Sequence, residues 1–447
     1  MGNYSFRSMI KKYVTSSGVL IAFSLFALIW ANSPLKELYF DILNLPVSVS
    51  LGHYNIFSHG GHAMSLIAVI NDFVMALFFL SVGLEIKREI LVGELSSRQK
   101  AMLPIIAACG GMLVPVLLFW LVCPQDADML RGMAIPMATD IAFSLGVLSL
   151  FSTRVPVGLK VFLAALAVAD DLGGIKVIAL FYSSQIDVAF LLMALVCVLL
   201  LIMGNMYRVG KKSFYLAIGA LLWYAMLNSG IHATIAGVIV AFCVPASLRH
   251  SSSYYIERIR KNINSLPVHE VTDKHHTVVL TNEEIHLLKS IESAADKLIS
   301  PLQDLEDMLK TVISRFVIPI FALANVGIDL AGMSIDTLFT GVGLPVMVGL
   351  VVGKFVGVFS FSWIAIKCRL VTLPQDSNWC SFASVCMLCG IGLTVSIFIA
   401  DLSYASLDGG AAVLGQAKLG ILCGSFISAL LGILLLNRYL PKKIQCD

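Results

Sequence analysis

Charge is scarce in this sequence. Only 13% of its 447 residues are Asp, Glu, Lys or Arg, while 58% are hydrophobic. A soluble domain carries about a quarter charged residues, so this chain has too few to cover a water-facing surface. No P-loop is present, which leaves no recognisable nucleotide site, and a net charge of +3 gives no reason to invoke nucleic acid. The CxxC pair Cys386 and Cys389 has no His or acidic companions nearby. It therefore reads as membrane-helix packing rather than redox or metal chemistry, as do Cys109, Cys197, Cys243 and Cys423. The N-terminus MGNYSFRSMIKKY places basic residues before an apolar run, but no small-residue cleavage site follows. The run reads as a retained first helix.

What remains is apolar sequence from end to end, the pattern of an all-α polytopic membrane protein. Twelve windows read as spans, about 14–31, 63–84, 101–122, 133–150, 157–181, 187–203, 213–228, 230–246, 312–328, 342–365, 378–401 and 413–437. Several are shorter than the roughly 20 residues that cross a bilayer unaided. Basic residues set the orientation. With the N-terminus cytoplasmic, the inner segments hold seventeen: Arg7, Lys11, Lys12, Lys87, Arg88, Arg98, Lys100, Arg154, Lys160, Arg208, Lys211, Lys212, Lys367, Arg369, Arg438, Lys442 and Lys443. The outer loops hold two, Lys36 and Arg131. Both termini are thus expected inside, in a single transmembrane domain covering 1–447.

Two polar interruptions stand out. Residues 43–59 alternate Val47, Val49 and Leu51 with Ser48 and Ser50, turn at Leu51-Gly52 and resume at Tyr54 and Ile56, a β-hairpin signal in the first outer loop. A lone hairpin is marginal, so it is expected to pair with the hairpin of a second protomer. The second interruption, 249–311, is an extended cytoplasmic loop. It carries the capping-box spacing Thr281-Asn-Glu-Glu284, then Ile285, Leu288, Ile291, Ala295 and Leu298 at helical intervals. Ser300-Pro301 restarts a further helix. The amphipathic helix reads as packing on the bundle.

Ionisable residues at membrane depth are few and usually mark ion paths. They are Asp72, Asp140, Asp170, Asp171, Lys176 and Lys354, with His232 near a boundary. Asp72 reads equally as an interfacial cap, the role of Lys176 is open, and His232 suits a turn-region hydrogen bond as well as ion handling. Asp170 and Asp171 lie halfway along a 25-residue window, too deep to reach an interface. Adjacent residues diverge by about 100° on a helix, so the two carboxylates are expected to have different partners, with Lys354 the obvious basic one. In Ala134-Ile-Pro-Met-Ala-Thr-Asp140 and Cys389-Gly-Ile-Gly-Leu-Thr394, Pro136 and the glycines should unwind two spans. Membranes tolerate that only where protein or water satisfies the backbone. Two interrupted spans in two halves suggest a transport site at their crossing. Asp140 and Lys354 carry the right signs to offset the helix ends there.

The segments FFLSVGLEIKREI (78–90), AIPMATDIAFSLGVL (134–148), ALAVADDLGGI (165–175), NSGIHATIAGVIVAF (228–242), PIFALANVGIDL (319–330), GKFVG (353–357) and CGIGLTVSIFIA (389–400) together resemble the NhaA-type Na+/H+ antiporters of bacterial inner membranes. The resemblance runs over nearly the whole chain. It implies twelve transmembrane helices with inverted repeats, two interrupted helices crossing at mid-membrane, and a homodimer joined through the external hairpin. It also implies that Asp171 and Asp170 bind Na+ or Li+ and protons, with Thr139 and Asp140 at the crossing and Lys354 as charge partner. Glu85, Arg88, Glu89 and Glu306 match positions linked to pH activation, and His232 a histidine that affects the pH profile. Where the family has histidines after Leu305-Glu306, this chain has Asp307 and Lys310, and the preceding loop is longer. His titrates near neutrality whereas Asp and Lys do not, so the pH range of activation does not carry over.

The expected chemistry is competition: hard cations and protons seek the same carboxylate oxygens, and adjacent carboxylates titrate as a coupled unit. No covalent step and no cofactor is required; the partners are Na+, Li+, H+ and membrane lipid. A Na+-coupled solute symporter would need an organic-substrate pocket. An intramembrane aspartyl protease would need carboxylates converging from different helices, for which Asp140 with Asp171 is the workable pair. A passive channel fits poorly with charge-lined broken helices.

Overall fold

A computed structural model describes residues 18–440, except 49, 52–53, 56, 60–61, 152–153, 182–186, 248–250, 267–279, 330–335, 340, 406 and 408. The basic residues Arg7, Lys11, Lys12, Lys442 and Lys443, the hairpin positions Val49, Gly52 and Ile56, and the middle of the 249–311 loop lie outside the described residues.

The chain is predominantly helical. Among the described residues, five helices are long and apolar enough to cross a membrane: Leu66–Leu91, Arg98–Val122, Val188–Met206, Gly343–Lys367 and Gly410–Tyr439. Three bent pairs bring the number to eight if each is one span. These are Gly18–Ala31 with Lys36–Asn44 (110°), Ala127–Met137 with Ile141–Ser149 (41°), and Trp379–Leu388 with Leu393–Tyr404 (43°). The other expected windows hold shorter or more polar helices, including Val157–Phe181, which carries the aspartate pair, Lys212–Ser229 and Thr234–Cys243. Gly230, at a φ of 83°, ends Lys212–Ser229 in the left-handed region that only glycine adopts freely.

Helix contacts rely on small residues, as is usual where lipid supplies no hydrophobic drive between helices. Gly110 and Gly357 face each other so closely that a Cβ on either would strike the other's carbonyl oxygen. This contact clamps Gly343–Lys367 against Arg98–Val122 and carries Lys354 inward. Gly357→Val is expected to lower stability by roughly 1–3 kcal/mol through overpacking. Detergent thermal unfolding checks this, and an unchanged midpoint would contradict the close approach. Three π-helical turns, Ile70–Val74, Ile313–Val317 and Gly349–Gly353, interrupt otherwise α-helical stretches. Such turns recur at functional sites, and the last of them ends immediately before Lys354.

The polar segment after Asn44 forms five short strands. Ser50–Leu51 pairs antiparallel with Tyr54–Asn55. His62–Ser65 pairs with both Pro46–Val47 and Ser58–His59. Strand pairing therefore continues past His59 into residues whose apolar character reads as the start of a span. The helix begins at Leu66, where the Ser65 side chain accepts the Ala68 N–H at 3.4 Å.

In the 249–311 segment, Ser252–Asn264 and Asn282–Asp296 lie side by side, joined by Asn262 Nδ2 donating to Ser290 Oγ at 2.9 Å. The capping box forms: Thr281 N–H donates to Glu284 Oε2 at 2.7 Å and Glu284 N–H to Thr281 Oγ1 at 3.3 Å. Ser300 caps the next helix by accepting the Gln303 N–H, with Pro301 at the first position. The helix Ser252–Asn264 is not among the expected elements, although Tyr255, Ile259 and Ile263 at intervals of four mark one apolar face; of these Tyr255 is buried.

Candidate functional site

The site forms where the two gently bent pairs meet. Pro136 has no N–H to continue a helix, and Ala138 and Asp140 are extended. On the other pair, the chain opens across 389–392. There, a Cβ on Gly390 would strike the Leu350 carbonyl and one on Gly392 would crowd the Ala138 carbonyl. The breaks are laced to each other: the Asp140 N–H donates to the Ile391 carbonyl at 2.7 Å, Ser144 Oγ to the Leu388 carbonyl at 3.0 Å, and Ser396 Oγ to the Ile135 carbonyl at 2.8 Å. Backbone groups freed by unwinding thus find protein partners, as a water-poor setting demands.

Asp140 serves both breaks. Its Oδ1 accepts the Phe143 N–H at 3.1 Å, capping Ile141–Ser149. Its Oδ2 accepts the Thr394 N–H at 3.1 Å and the Thr394 hydroxyl at 2.7 Å, at the start of Leu393–Tyr404. One carboxylate therefore sits at the positive ends of two helix dipoles. Lys354 lies close to Cys389, at the C-terminal end of Trp379–Leu388. Its ammonium donates to Asp170 Oδ2 at 2.6 Å, and both side chains are fully buried.

The Thr139 hydroxyl lies 2.8 Å from the same Asp170 oxygen and 3.0 Å from the Cys389 carbonyl; its single proton can serve one of them. The neighbouring carboxylate is treated differently. Asp171, 4% exposed, shares with Asp170 a buried Oδ1 without a hydrogen-bond partner among the described residues, but it has no lysine at its other oxygen. It lines a narrow funnel of about 120 Å³ together with Thr139, Asp140, Thr394, Glu85, Glu306 and Lys310. Asp170 is absent from that lining. The adjacent aspartates thus differ in setting: Asp170 is held through Oδ2 by Lys354 and Thr139, whereas Asp171 has no lysine partner among the described residues and lies in the cavity wall. Asp171, with Asp140 and Thr139 in the same wall, offers oxygens suited to a hard monovalent cation.

Four of the five residues matched to pH activation gather at the funnel mouth. Arg88 contacts Glu306 at 3.4 Å and Glu89 at 3.2 Å. Lys310, one of the substituted positions, contacts Glu306 at 3.4 Å, and Glu85 shares the charge field of Lys310, Glu306, Arg88 and Glu89. Glu306 is buried at 3% exposure, whereas Asp307 is exposed. His232 is not brought to this cluster. Its Nδ1 lies 3.1 Å from Thr234 Oγ1 and its ring meets Phe398 edge-on at 5.6 Å. Lys176 is exposed.

Sequence reasoning missed several buried polar groups. Asp401 and Lys418, the latter 7% exposed, fall in apolar windows and the depth criterion applied to Lys354 would have found both. Gly111 carries no such signal: a Cβ there would meet the Val358 side chain at 2.9 Å, beside the Lys354–Asp170 pair at ordinary contact distance.

Comparison with known proteins bears on this arrangement. The sequence profile of a family described as Na+/H+ antiporter 1 matches residues 7–436. A protein of Phocaeicola vulgatus is 47% identical over 99% of the chain and 97% of its own length. One of Bacteroides thetaiotaomicron is 46% identical over 98% of each, and one of Glaesserella parasuis 40% identical over 96% of each. Each of the three bears the name Na(+)/H(+) antiporter NhaA.

Proposed function

The chain belongs to the Na+/H+ antiporter 1 family, and from that membership we propose that it exchanges Na+, and Li+ with it, for protons at the Asp170–Asp171 site. The observation that carries the reading is Asp171: a buried carboxylate oxygen without a partner, in the wall of a funnel, next to an aspartate already neutralised by Lys354. A proton or a dehydrated Na+ can occupy that oxygen, but not both. Competition of this kind couples the two fluxes without a covalent intermediate.

In the full proposal the chain is a multi-pass protein of the bacterial inner membrane with twelve spans in inverted repeats. The broken helices cross at mid-membrane, and both termini face the cytoplasm. The strands around 43–65 lie outside and join two protomers. The seventeen basic residues of the inner segments support the orientation, and it places the funnel on the cytoplasmic side. Protons from outside displace Na+ outward, and cytoplasmic Na+ displaces protons inward. If more protons enter than sodium ions leave, the membrane potential also drives export, at about 2.3 kcal/mol per charge per 100 mV. The protease alternative is disfavoured by Asp140, which serves as the cap of both helix breaks, its oxygens accepting from Phe143 and Thr394.

The test is Na+-dependent collapse of a pH gradient in proteoliposomes of the purified chain. Collapse on adding Na+ or Li+, and not on adding choline, is the expected result. Uptake of an organic solute driven by Na+, with no proton movement, would replace antiport by symport.

The Glu85, Arg88, Glu89 and Glu306 cluster is assigned to pH-dependent control of entry, with His232 acting on the profile from the side through Phe398. Glu306→Gln removes the acceptor shared by Arg88 and Lys310. It is expected to displace the pH of half-maximal exchange by about one unit, the equivalent of about 1.4 kcal/mol of differential interaction. A profile identical to that of the wild type would remove the cluster from sensing.

A further inference from the structure

A second buried polar group, outside the site described above, lies at the far end of the same helices. Asn71 Nδ2 donates to Asp401 Oδ2 at 2.7 Å, and Asn325 Nδ2 donates to Asn71 Oδ1 at 2.7 Å. Asp72 and Lys418 share the charge field of Asp401. Asn325 is wholly buried, yet its Oδ1 has no hydrogen-bond partner among the described residues. A buried amide oxygen left unsatisfied costs about 1–3 kcal/mol and is a ready acceptor for a hydrated proton. Two carboxylates, one lysine and an orphan acceptor in one apolar place are more than a structural hydrogen-bond chain requires.

Three helices independently place this group on the side opposite the funnel. Along Leu66–Leu91 the order is Asn71 and Asp72, then the funnel residues Phe78, Ser81 and Glu85, with Phe79 beside the innermost of them and Arg88 at the mouth. Along 301–325 it runs in reverse, from Glu306 and Lys310 through Ile313 and Ser314 to Asn325. Along Leu393–Tyr404, Thr394 touches Asp140 and Asp401 follows seven residues later. Two turns put Asp401 on the same helix face, about 10 Å further along the axis. Between the two levels Phe79 and Phe398 meet with ring centroids 6.0 Å apart. The funnel-side site and the Asp401 group are thus stacked along one axis and separated by an aromatic layer.

We propose that Asp401, Asp72 and Lys418, with Asn71 and Asn325, form a second proton-exchange site that serves the membrane face opposite the funnel. The proposal rests on the exchange reading given above. A proton arriving from that face binds a carboxylate of the Asp72–Asp401 pair, with Lys418 holding the remaining charge. It passes to the Asp140–Asp171 level when the Phe79–Phe398 layer parts. No bond other than those to the proton forms or breaks. The titratable groups facing Asp401 from the helices packed on it are Asp72 and Lys418. Asn71 and Asn325 are the uncharged ones, and the segment Ala127–Met137 brings Asp128 and Arg131, which contact each other at the surface. His232 faces Phe398 rather than the carboxylates.

The experiment measures Na+-driven proton flux in proteoliposomes of the full chain, with pH varied on the face opposite the funnel and held fixed on the other. Asp401→Asn is expected to lower the maximal rate by about tenfold or more, as loss of a proton-transfer group does. It should also flatten the dependence on that face's pH, while the funnel-side half-saturation for Na+ stays within about twofold of wild type. Asp401→Glu should restore both rate and pH dependence, and Asp72→Asn, a second and milder change, should flatten the same limb. Wild-type pH dependence in Asp401→Asn and Asp72→Asn overturns the site. So does equal loss in Asp401→Glu accompanied by a changed Na+ half-saturation, which marks a purely structural role. A wild-type chain that moves no protons on Na+ addition overturns the exchange reading as a whole, a result distinct from either.

Discussion

Asp171→Asn is expected to abolish exchange while leaving the fold intact. The substitution keeps shape and most of the hydrogen-bonding capacity but removes the ionisable oxygens. No hydrogen bond of the Asp171 carboxylate has to be broken at Oδ1, because that atom has no partner. Unfolding temperature should therefore be unchanged or slightly raised, since a buried carboxylate without a counter-charge is a cost to the fold. Transport should fall far more. Losing a charged ligand forfeits roughly 3 kcal/mol of interaction, about a 100-fold loss at about 1.4 kcal/mol per factor of ten. The mutant also has no proton to give up. Initial rates of gradient collapse, compared at equal reconstituted protein, check this; rates within a factor of two of wild type would remove Asp171 from the centre.

Lys354→Met has the opposite signature. It strips the counter-charge from Asp170, whose Oδ2 then keeps only the Thr139 hydroxyl as a donor. Breaking one partner of a fully buried pair costs roughly 3–5 kcal/mol, and the expected result is a large fall in the thermal midpoint. Asp170→Asn/Lys354→Met should recover most of that loss, because neither uncompensated charge remains. Thermal unfolding of the two single variants and the double closes the cycle. A destabilisation in the double equal to the sum of the singles would show that the pair is not an energetic unit. A double variant that is stable but transports poorly would place the pair in the transport step as well as in the scaffold.

Much of this was legible from the chain itself. The apolar windows, the breaks at Pro136 and at Gly390 and Gly392, and the separate partners of Asp170 and Asp171 follow from helix geometry and from the price of burying charge. Orientation of Lys354 was less so. Sequence offers Lys354 as the basic partner of the aspartate pair but does not say which aspartate it meets, and the register set by the Gly110–Gly357 contact and the π-helical turn Gly349–Gly353 brings it to Asp170. Strand pairing beyond His59 was hidden because His62–Ser65 leads straight into an apolar helix and borrows its hydrophobic signal. The Asp401 group was missed for a different reason. Asp401 and Lys418 stand in apolar windows and were open to the same depth argument as Lys354, whereas Asn71 and Asn325 carry no charge to mark them, and their contacts depend on separate helices meeting at one level. No spacing within a single segment encodes that meeting.

The central claim is that Na+ and protons compete for the same carboxylate oxygens. It is tested most directly by calorimetric titration of the detergent-solubilised chain with Na+ at a series of pH values, in buffers of different ionisation enthalpy. If the claim holds, Na+ binding releases protons, and the apparent affinity falls by about tenfold per unit of pH below the titration of the site for each proton displaced. Asp171→Asn should show neither effect. Na+ binding of constant affinity across the pH series, with no protons released, would contradict competition at this site.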